Sequence, residues 1–275
     1  MGRELRGLPI LITGASSGIG RATALACARA GMPVAVAARR ADRLHDLVSE
    51  IEASGGRAVA IECDVADAGA CGHAVAACVE QFGSIYAAFA NAGYGTDSFV
   101  HTMSDSELRR MFEVNFFGTM SIARAAWEWM IPAGRGHILI CSSCLARFPV
   151  PGFGAYCATK AAQHHMARAM RAELHPLGIE VSSIHPIGTK TEFFDVAKTP
   201  DGVILDSRSS EPFMQTADFV ASRIVNCLRK PRAEVWPGVN GKLVRIGMAV
   251  AAATPGLTDA LFRRVIRRKL AKAKR

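Results

Sequence analysis

Thr13-Gly14-Ala15-Ser16-Ser17-Gly18-Ile19-Gly20 follows directly on an apolar run, Leu8–Thr13, and leads into the helix-length apolar stretch Arg21–Ala30. A short strand, a glycine turn and a helix in that order form the opening unit of a parallel α/β sheet. Glycines let the backbone turn tightly and bring a diphosphate against the helix N-terminus, where free N–H groups and the dipole favour negative charge. The spacing is G-x-x-x-G-x-G, which departs from the common G-x-G-x-x-G fingerprint, and no P-loop Lys follows. Gly14, Ser16, Ser17, Gly18, Ile19 and Gly20 are therefore the first candidates for holding a dinucleotide.

Outward from this turn, strand-length apolar runs alternate with helix-length segments: Val34–Ala38, Ala58–Cys63, Ile85–Ala90, His137–Cys141, Glu180–Ile184 and Ala233–Trp236. The runs are nearly continuous in apolar residues, as strands covered on both faces are. The expectation is a doubly wound, Rossmann-type parallel sheet of about seven strands with helices on both faces. A chain of 275 residues fits one such domain. It is divided here into a catalytic domain, 1–242, containing a substrate lid at 192–215, and a basic helical extension, 243–275.

Half the residues are hydrophobic and 21% are charged, as in a globular chain. The eight cysteines are scattered through expected strands and helices, which suits reduced, buried thiols and a cytoplasmic address. Cys141-x-x-Cys144 has no second pair to complete a metal site, so no metal is expected. Leu8–Thr13 is too short for a signal peptide, and Arg6 stands where a myristoylation motif needs Ser or Thr.

In folds of this kind ligands bind beyond the carboxyl ends of the strands. The second run ends in Arg39-Arg40, where an NAD site would place an acid for the ribose hydroxyls, yet no acid occurs from Arg21 to Ala41. A planar guanidinium there can grip a 2′-phosphate, which favours NADP(H); the alternative is a solvated surface pair. Asp64-Val65 follows the third run and Asn91-Ala92-Gly93 the fourth. Asp64 either accepts from an adenine amino group or caps the next helix, and the small Ala92 and Gly93 let the backbone approach a cofactor.

The fifth run enters Ser142-Ser143, then a loop broken by Pro149, Pro151, Gly152 and Gly154, then a helix carrying Tyr156 and Lys160 four residues apart on one face. Hydride transfer to a carbonyl needs a proton for the growing alkoxide, and a free phenol is too weak an acid to cycle easily at neutral pH. A cation about 5 Å away at an effective dielectric of about 20 favours phenolate by about 3 kcal/mol, or about two pKa units.

Taken together, the glycine turn, Asn91-Ala92-Gly93, Ser143, Tyr156 and Lys160 resemble the short-chain dehydrogenase/reductase family in its single-domain form, over approximately residues 5 to 240. The resemblance implies that Tyr156 donates or accepts the proton, that Lys160 lowers its pKa and holds the nicotinamide ribose, and that Ser143 orients the substrate oxygen. It also implies a proton-relay role for Asn115 in Glu113-Val114-Asn115-Phe116-Phe117-Gly118, a nicotinamide contact for Thr191, and a homodimer or homotetramer built through the helices of Asn115 and Tyr156. In one place the chain departs from the family: Ile187 stands in His185-Pro186-Ile187-Gly188 where a Gly is usual.

Around the expected substrate space lie Leu145, Phe148, Val150, Phe153, Phe193, Phe194, Phe213 and Met214, which suggests a lipophilic carbonyl or alcohol. A 3-oxoacyl reductase is a narrower alternative, and a catalytically silent NADP(H) sensor a different one. Net charge is +9, and residues 261–275 carry Arg263, Arg264, Arg267, Arg268, Lys269, Lys272, Lys274 and Arg275 with no acid, so the remainder is close to neutral. Leu261, Phe262, Val265, Ile266 and Leu270 recur there at helical spacing, a pattern that suits either a helix on an anionic membrane surface or a packing helix with a solvated face. Nucleic acid is not expected, because Phe262 alone interleaves those charges.

Overall fold

The apolar runs pair into one seven-stranded, wholly parallel sheet in a computed structural model that describes residues 2–197, 214–238 and 241–273. Its strands are β1 (Ile10–Thr13), β2 (Val34–Ala38), β3 (Ala58–Glu62), β4 (Ala87–Ala90), β5 (Gly136–Cys141), β6 (Ile179–Ile184) and β9 (Glu234–Val235). A two-stranded parallel ribbon joins β7 (Thr189–Lys190) to β8 (Gln215–Thr216). The order β3-β2-β1-β4-β5-β6-β9 reverses direction between β1 and β4, and the crevice at such a switch point is where these sheets receive ligands. The first strand begins at Ile10 because Pro9 has no N–H for the ladder; its carbonyl still accepts from Tyr86 and Ala87.

Alternation along the strands divides the core in two. Ile10, Ile12, Val34 and Val36 pack against α1 (Gly18–Arg29), α2 (Ala41–Ala53) and α8 (Ala217–Arg229). Leu11, Ala35, Ala37, Ile138 and Ile140 pack against α3 (Ala68–Phe82), α5 (Gly118–Met130) and α6 (Gly154–Leu174) on the other face. Side chains such as Ile10, Leu11 and Ile12, fully buried, each contribute about 2 kcal/mol of apolar transfer free energy. Both sheet faces are thus covered, as the unbroken apolar runs require.

Two local features bear on the site. Asp67, not Asp64, caps α3, accepting from the Gly69 and Ala70 N–H groups at 2.7 and 3.2 Å, so the capping alternative for Asp64 is set aside. The helix expected around Asn115 is interrupted: α4 (Asp105–Phe112), closed at its start by a Ser104–Glu107 capping box, passes through a π-turn at Glu113–Phe117 before α5 begins. A short α7 (Phe193–Ala197) follows β7, and the extension forms α9 (Gly241–Ala253) and α10 (Pro255–Ala273). Most of the expected lid, together with Phe213, lies outside the described residues.

Candidate active site

The glycine turn is held shut by close backbone contacts. Gly14 and Gly18 have φ of 64° and 55°, and a Cβ on Gly20 would stand 2.3 Å from the Gly14 carbonyl oxygen, so larger residues cannot make this turn. Asn91 donates its amide to the Thr13 carbonyl at 3.0 Å, while the Thr13 hydroxyl accepts from the Asn91 and Ala92 N–H groups at 3.0 and 3.2 Å. The loop after β4 is thereby pinned to the loop after β1. Thr191 joins them: a Cβ on Gly18 would touch its methyl at 3.0 Å. The ribbon that leads into Thr191 forms despite Ile187, whose carbonyl accepts from Gln215 at 2.7 Å.

The two arginines after β2 separate. Arg40 turns its guanidinium into the glycine turn, donating to Ser16 at 2.9 and 3.1 Å and to Ser17 at 3.0 Å, and pairs with Glu192 at 3.0 Å. Arg43 meets the same carboxylate at 2.6 Å. Arg39 is exposed, on the side of Asp64. Asp64 accepts from Ala66 N–H at 3.0 Å and pairs with Arg110 at 2.9 Å; slight burial pushes its carboxyl up, but those partners and Arg39 hold it below its ordinary value. Val65 is buried against Gly118, where an added Cβ would come within 2.6 Å of the Val65 carbonyl. Ile19 packs partly on the core beneath the turn.

Tyr156, Lys160, Ser143 and Asn115 do converge at the ends of β4 and β5. Lys160 is 3% exposed, donates to the Cys141 carbonyl at 2.7 Å, and has its Nζ 5.6 Å from the centre of the Tyr156 ring. A Cβ on Gly93 would lie 3.4 Å from that Nζ and 3.0 Å from Asn115 Oδ1, so Gly93 is what lets the two approach the loop. Asn115, fully buried in the π-turn, donates to the Tyr94 carbonyl at 2.8 Å and to Thr159 at 3.1 Å, and accepts from the Tyr94 N–H at 2.9 Å. Its own carbonyl accepts from Gln163 and from Thr119. Burial lowers the Lys160 pKa to about 8 and drives the Tyr156 phenol well above its ordinary value, the Ser143 hydroxyl pulling the other way. Desolvation therefore dominates the phenol.

Around Tyr156 the wall is apolar. Phe153, Met111, Ala155 and Ala197 are buried with it, and Leu145, Val150, Phe193, Tyr94 and Met103 pack against them. Phe193 lies 5.3 Å from the Tyr156 ring, centre to centre, and itself contacts Phe194. Met214 lies near Gly188, while Phe148 turns away to Phe262 of the extension at 5.4 Å. Tyr94, Gly95, Met103 and Met111 were not singled out from sequence; the first two follow Gly93 at a strand end, which is signal enough to have found them.

Behind Ser143 lies a second polar cluster that no motif marks. His185 donates from Nδ1 to the Ser143 carbonyl at 2.9 Å, meets Ser183 through Nε2 at 2.9 Å, and stacks on Trp236 at 4.6 Å. Glu234, its side chain 4% exposed, accepts from Arg147 at 2.5 Å, Arg168 at 3.2 Å and the Trp236 indole at 3.0 Å, with Arg245 of α9 at 3.7 Å. Burial pushes its carboxyl up, but the indole N–H and the arginines prevail and bring it down to about 2. Burial lowers His164 and His185 to about 4, so both are neutral near pH 7. One carboxylate thus ties the loop after Ser143, the helix of Tyr156 and Lys160, the last strand and the extension together. Among the described residues no group of His, Cys, Asp and Glu forms a metal site, and all eight cysteines are free and buried.

Comparison with known proteins places this geometry. A family model described as short chain dehydrogenase matches residues 9–201. The 2,5-dichloro-2,5-cyclohexadiene-1,4-diol dehydrogenase LinX of Sphingobium indicum is 33% identical over 218 residues, 79% of this chain and 86% of that protein. The glycine betaine reductase ATRR of Emericella nidulans is 31% identical over 227 residues, 82% of this chain but only 18% of that much longer protein. A short chain dehydrogenase from Burkholderia cenocepacia J2315, solved in complex with NADP, is 31% identical, covers 86% of this chain and 100% of its own, and superposes with a TM-score of 0.75.

Proposed function

The chain belongs to the short-chain dehydrogenase family, and from that membership we propose that it is an NADP(H)-dependent oxidoreductase moving a hydride between nicotinamide and the carbonyl/alcohol pair of a lipophilic substrate. The observation that carries the reading is the meeting of Tyr156, Lys160 and Ser143 in one apolar-walled recess at the strand ends. The cradle of Gly14, Gly18, Gly20 and Gly93, which any Cβ would fill, fits a dinucleotide lying along the sheet edge. Ser16, Ser17, Ile19, Asn91 and Ala92 complete the phosphate end, and Asp64 with Val65 lines the adenine side. Thr191 stands across from Gly18 toward the nicotinamide. Arg40, already on Ser16 and Ser17, and the exposed Arg39 would take the 2′-phosphate; no acid stands in the sequence at the end of β2, and the phosphate would replace Glu192 on Arg40.

The nicotinamide, when bound, supplies or takes the hydride. In reduction the Tyr156 hydroxyl gives its proton to the substrate oxygen, which Ser143 holds by a hydrogen bond. The Lys160 ammonium stabilises the phenolate left behind and reaches the ribose. Asn115 fixes Tyr94 and Thr159 around them and stands at the entry of the proton relay. Leu145, Val150, Phe153 and Phe193 exclude water and favour an apolar substrate. Exposed Phe117, Trp129 and Met166, on the π-turn, α5 and α6, supply faces for a homodimer or homotetramer. The compartment proposed is the cytoplasm, with the extension turned to a membrane surface.

The test is consumption of NADPH and of NADH over a panel of lipophilic ketones and aldehydes, with wild type beside Tyr156→Phe. NADPH turnover that falls by about several hundredfold in the variant is expected. Equal rates in the two proteins would remove Tyr156 from the chemistry, and tight NADPH binding without turnover on any carbonyl would favour a sensor.

A further inference from the structure

Helices α9 and α10 have more apolar surface than the body of the protein covers. Their inner side is clear: Val244, Met248, Thr258, Phe262 and Ile266 are half-buried, Phe262 on Phe148, and Arg245 reaches Glu234. Beside that inner side runs a second stripe. Leu257, Leu261 and Val265, at i, i+4 and i+8 on one face of α10, are 75%, 60% and 41% exposed, and Leu243, Ile246 and Val250 of α9 are exposed as well. Arg264 is exposed on the flank of the α10 stripe, Arg267 and Arg263 are exposed further round the helix, and five further basic residues follow in the sequence. Asp259 is the single acid from Gly241 onward.

We propose that this outer stripe docks on an anionic lipid bilayer, Leu257, Leu261 and Val265 entering the headgroup–acyl boundary while the arginines meet lipid phosphates. An apolar stripe bordered by cations on a helix in the plane of the interface is what such a surface binds. No described helix is long and apolar enough to cross a membrane, so the contact is peripheral. Charge decides against the other occupants. A second copy docked face to face would set two runs of eight cations together, and nucleic acid would leave the leucines unsatisfied while finding no free aromatic to stack on, since Phe262 is taken by Phe148.

The inner side gives the docking a consequence. Phe148 and Arg147 belong to the loop that begins at Ser143, and the extension grips both, directly through Phe262 and by way of Glu234. A bilayer under α10 therefore lies beside the loop that walls the substrate recess, and a lipophilic carbonyl can pass from lipid to Tyr156 without crossing water. This last step rests on the proposed lipophilic substrate; the docking does not.

The experiment is cosedimentation of the full chain with vesicles of phosphatidylcholine alone and of phosphatidylcholine with about 30% phosphatidylglycerol. Wild type is expected to pellet with the anionic vesicles only, and less so at raised salt. The double variant Leu257→Asp/Leu261→Asp and the triple variant Arg263→Gln/Arg264→Gln/Arg267→Gln are each expected to bind at least about tenfold more weakly. All of these side chains are exposed, so thermal melting and NADPH binding should match wild type and separate lost docking from lost fold. Equal pelleting of wild type and both variants, or no pelleting of wild type with anionic vesicles, would overturn the proposal. So would a loss of self-association in the leucine variant without any vesicle binding by wild type, which would assign the stripe to a second copy. A failed carbonyl screen alongside clean vesicle binding would count against the enzyme reading alone.

Discussion

Behind Tyr156 and Lys160 the supports are backbone carbonyls, neutral amides and a hydroxyl: the Cys141 carbonyl on Lys160, and Asn115, Thr159 and Gln163 around the Tyr94 loop. Behind Ser143 they are charged, with one buried carboxylate facing three arginines and two neutral imidazoles. The difference has a physical logic. Among the described residues the first cluster sets one buried cation, Lys160, against no carboxylate, and burial keeps its pKa low and leaves it responsive to charge arriving in the recess. The second neutralises its charges internally and so acts as a fixed anchor, at some cost in desolvation. Chemistry should therefore respond to changes in the first cluster and stability to changes in the second.

Replacing Lys160 tests the first half with the largest effect. Lys160→Met should reduce turnover by about two orders of magnitude or more, because the phenolate loses its stabilising cation. It should not lower the melting temperature. A lysine whose folded pKa is depressed by burial weakens the fold while it is protonated, and that penalty fades only as pH rises from about 8 toward the unfolded value of 10.5. The same depression predicts an alkaline limb in turnover near pH 8, which Lys160→Arg, always charged, should move upward or abolish. A melting loss as large as the activity loss would show that Lys160 is an anchor after all, and the contrast between the clusters would collapse.

Glu234→Gln tests the second half. Its folded pKa of about 2 lies below the ordinary 4.5, so the carboxylate contributes stability that is fully present above about pH 4.5 and is lost as pH falls toward 2. With the side chain 4% exposed, that contribution is about 3 kcal/mol, and the variant should melt about 5–10 °C lower at neutral pH. Calorimetry across pH 3 to 7 checks it: both proteins should lose stability between about 6.5 and 4, where His164 and His185 bind protons in the unfolded chain but not in the folded one, and wild type alone should go on losing it from about 4.5 downward through the carboxylate. Residual turnover of the folded variant should stay within about tenfold of wild type. Unchanged melting would mean that the arginines find solvent as good a partner as Glu234.

The two clusters also differ in how far the sequence announces them. Gly14, Asn91, Ser143, Tyr156 and Lys160 sit directly after strand-length apolar runs or on the helix that follows one, so a strand-end search finds them and the seven strands together. Arg40's turn into Ser16 and Ser17, with Arg39 left outside, depends on side-chain direction, which no spacing conveys. Glu234 and Trp236 come from β9 and its end, Arg168 from α6, Arg245 from α9 and Arg147 from the loop after Ser143, and they meet only because β9 closes the sheet beside β6. Each alone looks like a surface charge or a buried aromatic. The π-turn at Glu113–Phe117 was hidden for a related reason: its residues read as ordinary helix, and the packing of Asn115 against Tyr94 and Thr159 accompanies a widening that sequence does not show.

His185 links the two regimes, and the smallest effect belongs to it. Buried and neutral, it can donate to the Ser143 carbonyl only with its proton on Nδ1, which leaves Nε2 to accept from Ser183. The ring is further fixed flat on Trp236, with an interplanar angle of 8°. Removing the donor strands a buried carbonyl directly at Ser143, at a cost of about 1 kcal/mol in the positioning of its hydroxyl, or about fivefold in turnover. His185→Leu should therefore lower kcat by about that factor while NADPH affinity stays put, since no cofactor contact is touched. His185→Asn places an amide N–H close to where Nδ1 stood and should recover most of kcat without recovering the stacking on Trp236, so its melting temperature should remain depressed. If Asn and Leu lowered kcat equally, the stacking and not the hydrogen bond would be what holds Ser143, and the anchor behind it would be one of packing rather than of charge.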